Sequence, residues 1–291
     1  MALLLGLAVA CAYGSADFLG GLGAKRSPTV VVVVLSQLAG LGLLAAVMLV
    51  FPSGEATATT LVLGAAVGVA GLVALLLLYQ GLATGVMSVV APITAVGSAV
   101  LPVLWGVLNG ERPSVWSAIG VVIALASVVL VSRAPNAGRA EQGLGDHGFQ
   151  DSRPQNRRWL TSAIGAGVGF GIVFIILGST GDDAGFWPLL AARCTSVLLA
   201  GVMLAARRTR LRPAPGDALL LIGAGALDIT ANALFVVATR RGLLSLVSVV
   251  ASLYPAATVL LARLVLNERL SRPQLAGLGA AGLGVALIAT G

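Results

Sequence analysis

Long runs of apolar residues, each broken by a few polar or turn-forming ones, organise this chain from end to end. About 20 residues in helical conformation cross the hydrocarbon core of a bilayer. Windows of about that length fall at 2–23, 28–51, 59–82, 86–108, 114–132, 159–180, 185–206, 216–239, 243–266 and 273–290. Within each, hydrophobicity is continuous rather than alternating, which selects helices over the strands of a membrane barrel. The pattern predicts an all-α membrane protein with ten transmembrane helices. The first window has no basic segment before its apolar run and continues past Cys11, so it reads as a span and not as a secretion signal.

Composition narrows the class further. The chain is 58% hydrophobic and 10% charged, with a mean hydropathy of +1.00. A soluble domain carries about a quarter charged residues, so this chain lacks the polar surface such a domain needs. Its 38 glycines suit helices that pack backbone to backbone in lipid. The formal charge of +7 comes largely from residues in short segments between windows, with no aromatic-interleaved basic stripe, which argues against a nucleic-acid partner. Cys11 and Cys194 lie in apolar runs and imply no disulfide framework. No Cys or His stands at metal-ligand spacing, and the single histidine, His147, falls in a polar stretch, so no Ser/His/Asp set forms. The "GLGAAG" run from Gly277 matches a dinucleotide fingerprint but lies within the last apolar window, with no strand before it. The reading is of a non-enzyme without metal or cofactor.

Laid over itself with a shift of 157 residues, the chain aligns in one register. "GVMSVV" from Gly85 meets "GLLSLV" from Gly242, and "GERPS" from Gly110 meets "NERLS" from Asn267. Gly14 meets Gly171, Gly21 meets Gly178 and Gly68 meets Gly225. Five helices is an odd number, so a second copy enters the membrane upside down relative to the first, as in many secondary transporters. The sequence therefore divides into a five-helix repeat at 1–131, a polar linker at 132–158 rich in Gly, Pro and charge, and a second five-helix repeat at 159–291. The expected fold is two inverted five-helix repeats.

The first-window "YGSADF", the short turn at 83–85 and the paired "GERPS" and "NERLS" segments together resemble the drug/metabolite transporter superfamily, and its EamA-type members most closely. The resemblance spans the chain apart from the linker. It implies a ten-helix secondary transporter with a central cavity, often an exporter of amino acids, related metabolites or toxic compounds. It also implies a bacterial-type cytoplasmic membrane. Many members show Trp-Gly-Ser-Asn-Phe in the first helix. Here Tyr13 replaces the Trp and Asp17 stands where Asn often does.

A carboxylate inside a spanning helix is costly unless it meets a wet cavity or a partner. Asp17 and Tyr13 are four residues apart and share a helix face. Asp17 is a ligand for a substrate amine, a proton-coupling acid, or one half of a structural pair. Asp228, with Asn232 four residues later, repeats the pattern in window eight, whose counterpart in window three carries Tyr79 and Gln80. Arg193 is the cation deepest in a span; it binds a substrate carboxylate or pairs with Asp17 or Asp228. Pro92 and Pro102 in window four and Pro255 in window nine permit kinks or gates. Trp105 and Tyr254 are candidates for the cavity wall. Glu111-Arg112 and Glu268-Arg269 follow equivalent windows and are expected to cap helix ends.

Lys25, Arg26, the linker arginines, Arg207, Arg208, Arg210, Arg212, Arg269 and Arg272 follow odd-numbered windows, whereas Arg112, Arg240 and Arg241 follow even ones. The positive-inside rule then puts both termini outside the cytoplasm. The leading expectation is an exporter of small polar metabolites, acting as a monomer on a small-molecule substrate by alternating access. A lipid-carrier flippase, hinted at by Arg240 and Arg241, and a non-transporting partner subunit are the alternatives.

Overall fold

The structure is a computed structural model that describes residues 1–50, 54–84, 87–131, 158–266 and 271–290. Among the described residues there is no strand. The helices are α1 (Ala2–Ala24), α2 (Thr29–Val50), α3 (Ala58–Thr84), α4 (Met87–Leu108), α5 (Val115–Val131), α6 (Arg158–Gly178), α7 (Trp187–Ala206), α8 (Ala218–Thr239), α9 (Leu244–Ala251), α10 (Tyr254–Leu266) and α11 (Arg272–Thr290). A 3₁₀ turn, Asp182–Ala184, joins α6 to α7. The expected linker lies outside the described residues except for Arg158, as do Gly85, His147, Glu268 and Arg269.

Among the described residues each of the ten windows contains a helix, and the ninth divides into α9 and α10 around Ser252 and Leu253. Pro255 is the second residue of α10. There its missing N–H costs nothing, because the first amides of a helix have no intrahelical acceptor. Placed in a continuous helix, the same residue would remove a hydrogen bond. By contrast α4 runs unbroken through Pro92 and Pro102. By length and composition, α1, α2, α3, α6, α7 and α8 each contain an apolar stretch long enough to cross a membrane, while Ile93–Leu108, Val115–Leu130 and Leu244–Thr258 are apolar but shorter.

The helices pack in a regular scheme. The main pairings are α5 with α11, α1 with α8, α9 and α10, α3 with α6 and α7, α4 with α6 and α9, and α2 with α7 and α8. Advancing each helix by five windows turns the pairing of α1 with α8 into that of α6 with α3, and α1 with α9 into α6 with α4. Directions follow from the small residues at the crossings. Gly64 abuts Ala191 and Gly68 abuts Thr195, so α3 runs parallel to α7. Gly165 abuts Leu77 and Gly169 abuts Ala74, so α6 runs antiparallel to α3.

Close approach is built on glycine. A Cβ on Gly14 would stand 2.7 Å from the Cβ of Ala257 and 3.0 Å from the amide nitrogen of Thr258, and would meet the carbonyl of Tyr254. On α6, a Cβ on Gly171 would stand 2.9 Å from the Cβ of Leu101 and 3.3 Å from the carbonyl of Gly97. Gly14 and Gly171, Tyr254 and Gly97, and Thr258 and Leu101 are each 157 positions apart. The same glycine thus makes the same crossing in both halves.

Polar contacts tie the two ends. At one end the turn between α1 and α2 meets the segment before α8: Arg26 pairs with Asp217 at 3.4 Å, and Ser27 accepts the amide of Ala214 at 2.9 Å. At the other end the amide of Glu55 donates to the carbonyl of Asp183 at 2.8 Å, and the Trp187 indole donates to the carbonyl of Gly54 at 3.3 Å. Glu111 there accepts the backbone amides of Leu244 at 2.8 Å and Ser245 at 3.1 Å, which caps α9 from across the molecule. Arg240 donates to the carbonyl of Gly185 at 2.9 Å.

Candidate functional site

A cavity of about 50 Å³, room for a few waters, lies between α1, α2, α3, α6, α7 and α8. One wall is polar: Tyr13 from α1, Gln37 from α2, Arg193 and Ser196 from α7, and Asp228 and Asn232 from α8. The apolar part of the lining includes Gly71, Leu72 and Leu75 from α3 with Phe170 and Val173 from α6.

Arg193 is the centre of the polar wall. Its residue is 6% exposed, and a guanidinium at such depth costs about 2.5–3.5 kcal/mol on insertion scales when alone. It is not alone. One terminal nitrogen donates to the side-chain oxygen of Gln37 and the other to a carboxylate oxygen of Asp228. Asn232 donates to the Asp228 backbone carbonyl at 2.8 Å and to its carboxylate at 3.4 Å. Ser196 donates to the Arg193 carbonyl at 3.1 Å. Two bonds leave three of the five guanidinium N–H donors without an acceptor among the described residues. A buried cation with unused donors on a cavity wall is equipped to receive an acceptor group from a bound solute.

Tyr13 faces the same space, with its ring 5.9 Å from that of Phe174, which stacks at 4.3 Å on Phe235. Asp17, one turn further along α1, is half-buried and lies off the cavity lining. Among the described residues it has no hydrogen bond or ion pair. Its charge is within interaction range of Asp228, Tyr79 and Tyr254. Tyr79 is buried, with its hydroxyl in the space that Gly20 leaves open.

The sequence candidates thus separate. Tyr13, Arg193, Asp228 and Asn232 come together on one wall, with Asp17 and Tyr79 behind it. Of the alternatives open for Arg193, the pairing is with Asp228. Trp105 is 45% exposed and Gln80 is exposed, and neither lines the cavity, contrary to expectation. On α3, adjacent residues diverge by about 100° around the helix, so Tyr79 turns inward and Gln80 outward. Tyr254 is also off the lining; it is buried and donates to the carbonyl of Ala91 at 3.2 Å, joining α10 to α4. Pro102 and Pro255 are buried, and the side chain of Pro92 lies outside the described residues. Gln37 was not anticipated. The available signal was the uncharged polar pair Ser36-Gln37 in the middle of the "VVVVVLSQLAG" run.

Several apolar helices around a polar interior define a multi-pass helical membrane protein. Residues 157–290 match the EamA-like transporter family, which is part of the drug/metabolite transporter superfamily. A solved crystal structure has the same fold, with a TM-score of 0.72 at 17% identity, covering 98% of this chain and 95% of that chain. No curated protein matches the chain.

Proposed function

We propose that this protein is a secondary transporter, an exporter of small polar metabolites such as amino acids or of toxic compounds, and not an enzyme. Two inverted five-helix repeats, 1–131 and 159–291, rock about the central cavity and open it to each side of a bacterial-type cytoplasmic membrane in turn. The exchange of helix pairings, the opposed directions of α3 and α6, and the matching crossings at Gly14 and Gly171 support this arrangement. A single chain holds both halves of the pathway, which supports a monomer.

One observation carries the reading: Arg193, from the second repeat, is held between Gln37 of the first repeat and Asp228 of the second on the wall of the cavity. Rocking changes the distance between repeats, so a solute that binds Arg193 competes with Gln37 for the guanidinium. Differential contact of this kind is what lets a ligand bias two conformations. Asp17 supplies a second charge nearby, for a substrate amine or for a proton that couples transport to the gradient.

The test is flux in proteoliposomes. Purified protein reconstituted with a panel of radiolabelled amino acids and amines should exchange at least one of them, and Arg193→Ala should abolish that exchange. Equal exchange by wild type and a folded Arg193→Ala variant would remove Arg193 from the site.

A further inference from the structure

Asp217 is the most deeply buried acid that the cavity does not use. Its side chain is 0% exposed although it sits in the segment between two helices. It occupies the N-cap of α8, where an aspartate ordinarily accepts an amide of its own first turn. Here it makes no such cap bond. The carboxylate turns the other way: one oxygen accepts the Ser27 hydroxyl at 3.3 Å and the other accepts Arg26 at 3.4 Å. Ser27 in turn accepts the amide of Ala214. A helix start gives up its own cap to hold the turn between α1 and α2.

Among the described residues a carboxylate clasp of this kind is found at one of the two ends. Shifted by 157, Asp217 falls on Thr60, Arg26 on Asp183 and Ser27 on Ala184. Thr60 pairs locally with Thr57 at 2.7 Å, and the described contacts between the equivalent segments are the backbone bond from Glu55 to Asp183 and the indole bond from Trp187. Between the clasp and Tyr13, side chains seat on the glycines of α1: Leu221 on Gly23 and Tyr79 on Gly20. Leu221 lies one turn into the helix that Asp217 begins.

We propose that the Asp217, Ser27 and Arg26 clasp is a gate that closes this end of the cavity, and that its release draws Leu221 off Gly23 and opens the path. The proposal rests on the transporter reading. Arg26 is 64% exposed, so the ion pair is open to water and to screening by salt, whereas the Ser27 bond is buried. The gate is therefore held by a buried hydrogen bond and trimmed by an exposed charge.

The experiment uses the full chain in lipid nanodiscs, with Cys11→Ser and Cys194→Ser as background and Ser196→Cys as a reporter on the cavity wall. Labelling by a water-soluble maleimide measures opening without any solute. Asp217→Asn should raise the labelling rate about tenfold, the change produced by losing one hydrogen bond to a charged group. Arg26→Gln, altered at an exposed side chain, keeps the fold and should give a smaller increase. Unchanged labelling in Arg26→Gln and in any folded Asp217→Asn variant overturns the gate. Proteoliposome flux is measured in parallel. Absence of flux in the wild type counts against transport, while flat labelling with intact flux counts against the gate alone.

Discussion

Asp228 on α8 stands 157 residues after Gly71 on α3, and both line the same cavity. Asn232 and Leu75 are related in the same way, and so are Phe170 and Tyr13. The backbone of the cavity repeats while its chemistry does not. In each pair one member offers hydrogen bonds and the other offers apolar surface or bare backbone.

The pair of Arg193 with Asp228 should obey the rule that breaking a buried ion pair costs more than removing it. Arg193→Ala strands a carboxylate, and Asp228→Ala strands a guanidinium whose residue is 6% exposed. Each single change should destabilise the protein by about 3–5 kcal/mol. Arg193→Met combined with Asp228→Leu should recover most of that loss. Thermal unfolding in detergent measures all three, and a double variant less stable than both singles would contradict the account.

Gln37 on α2 gives Arg193 on α7 an acceptor 156 residues away in the chain. Gln37→Leu should cost about 1.5–3 kcal/mol, the range for a hydrogen bond to a charged group. Gln37→Glu should behave differently. It keeps an acceptor and adds a charge, so thermal stability holds while solute exchange slows, because a solute must now displace a carboxylate. Stability loss and exchange loss moving together in both variants would show that Gln37 serves the fold alone.

Glu111 should matter far from its own loop. Its carboxylate accepts the amides of Leu244 and Ser245, and α9 has only eight residues. Glu111→Ala should cost about 1–2 kcal/mol and raise amide exchange at 244 and 245. Glu111→Gln keeps one good acceptor and should lie between. Hydrogen exchange by mass spectrometry separates this from a general loss of stability, since a true cap loss is confined to the first turn of α9.

Glycine crossings differ in how much they can yield. A Cβ at Gly14 meets backbone atoms of Tyr254 and Thr258, whereas at Gly171 the nearest atoms belong to the Leu101 side chain, at 2.8 and 2.9 Å. Side chains move more readily than helix backbone. Gly14→Ala should therefore be the more destabilising of the two, within the range of about 1–3 kcal/mol for overpacking. Equal shifts in the unfolding midpoint would mean that α1 and α10 separate as easily as α6 and α4.

The helices were legible because continuous hydrophobicity has one solution in lipid, and the equivalent glycines because both halves use the same crossing. Partnership was not legible. Nothing in "LSQLAG" shows that Gln37 faces a guanidinium 156 residues away. Nor does a loop aspartate before a helix reveal that it forgoes its own cap. That Trp105 and Gln80 lie off this cavity is illegible for a related reason: in a window that is apolar all round, a single polar or aromatic residue does not say which face is inward. The break at Ser252 required knowing that Pro255 sits at a helix start and not within one.

Asp17 carries the last prediction. Under the shift of 157 it falls on Phe174, which stacks against Phe235 and adjoins Tyr13. One half thus puts an aromatic contact where the other puts an acid without a bonding partner among the described residues. A scaffold requirement would fall on both halves alike, which supports the proposal that the acid serves solute or proton. Asp17→Asn keeps the shape and removes the charge. If Asp17 holds the coupling proton, the variant should lose accumulation driven by a pH gradient while retaining exchange of labelled for unlabelled solute. If Asp17 instead binds a substrate amine, exchange of amines should fail as well, and neutral solutes should be spared. Proteoliposomes with and without an imposed gradient distinguish these results, and undiminished gradient-driven transport of every solute would remove Asp17 from both roles.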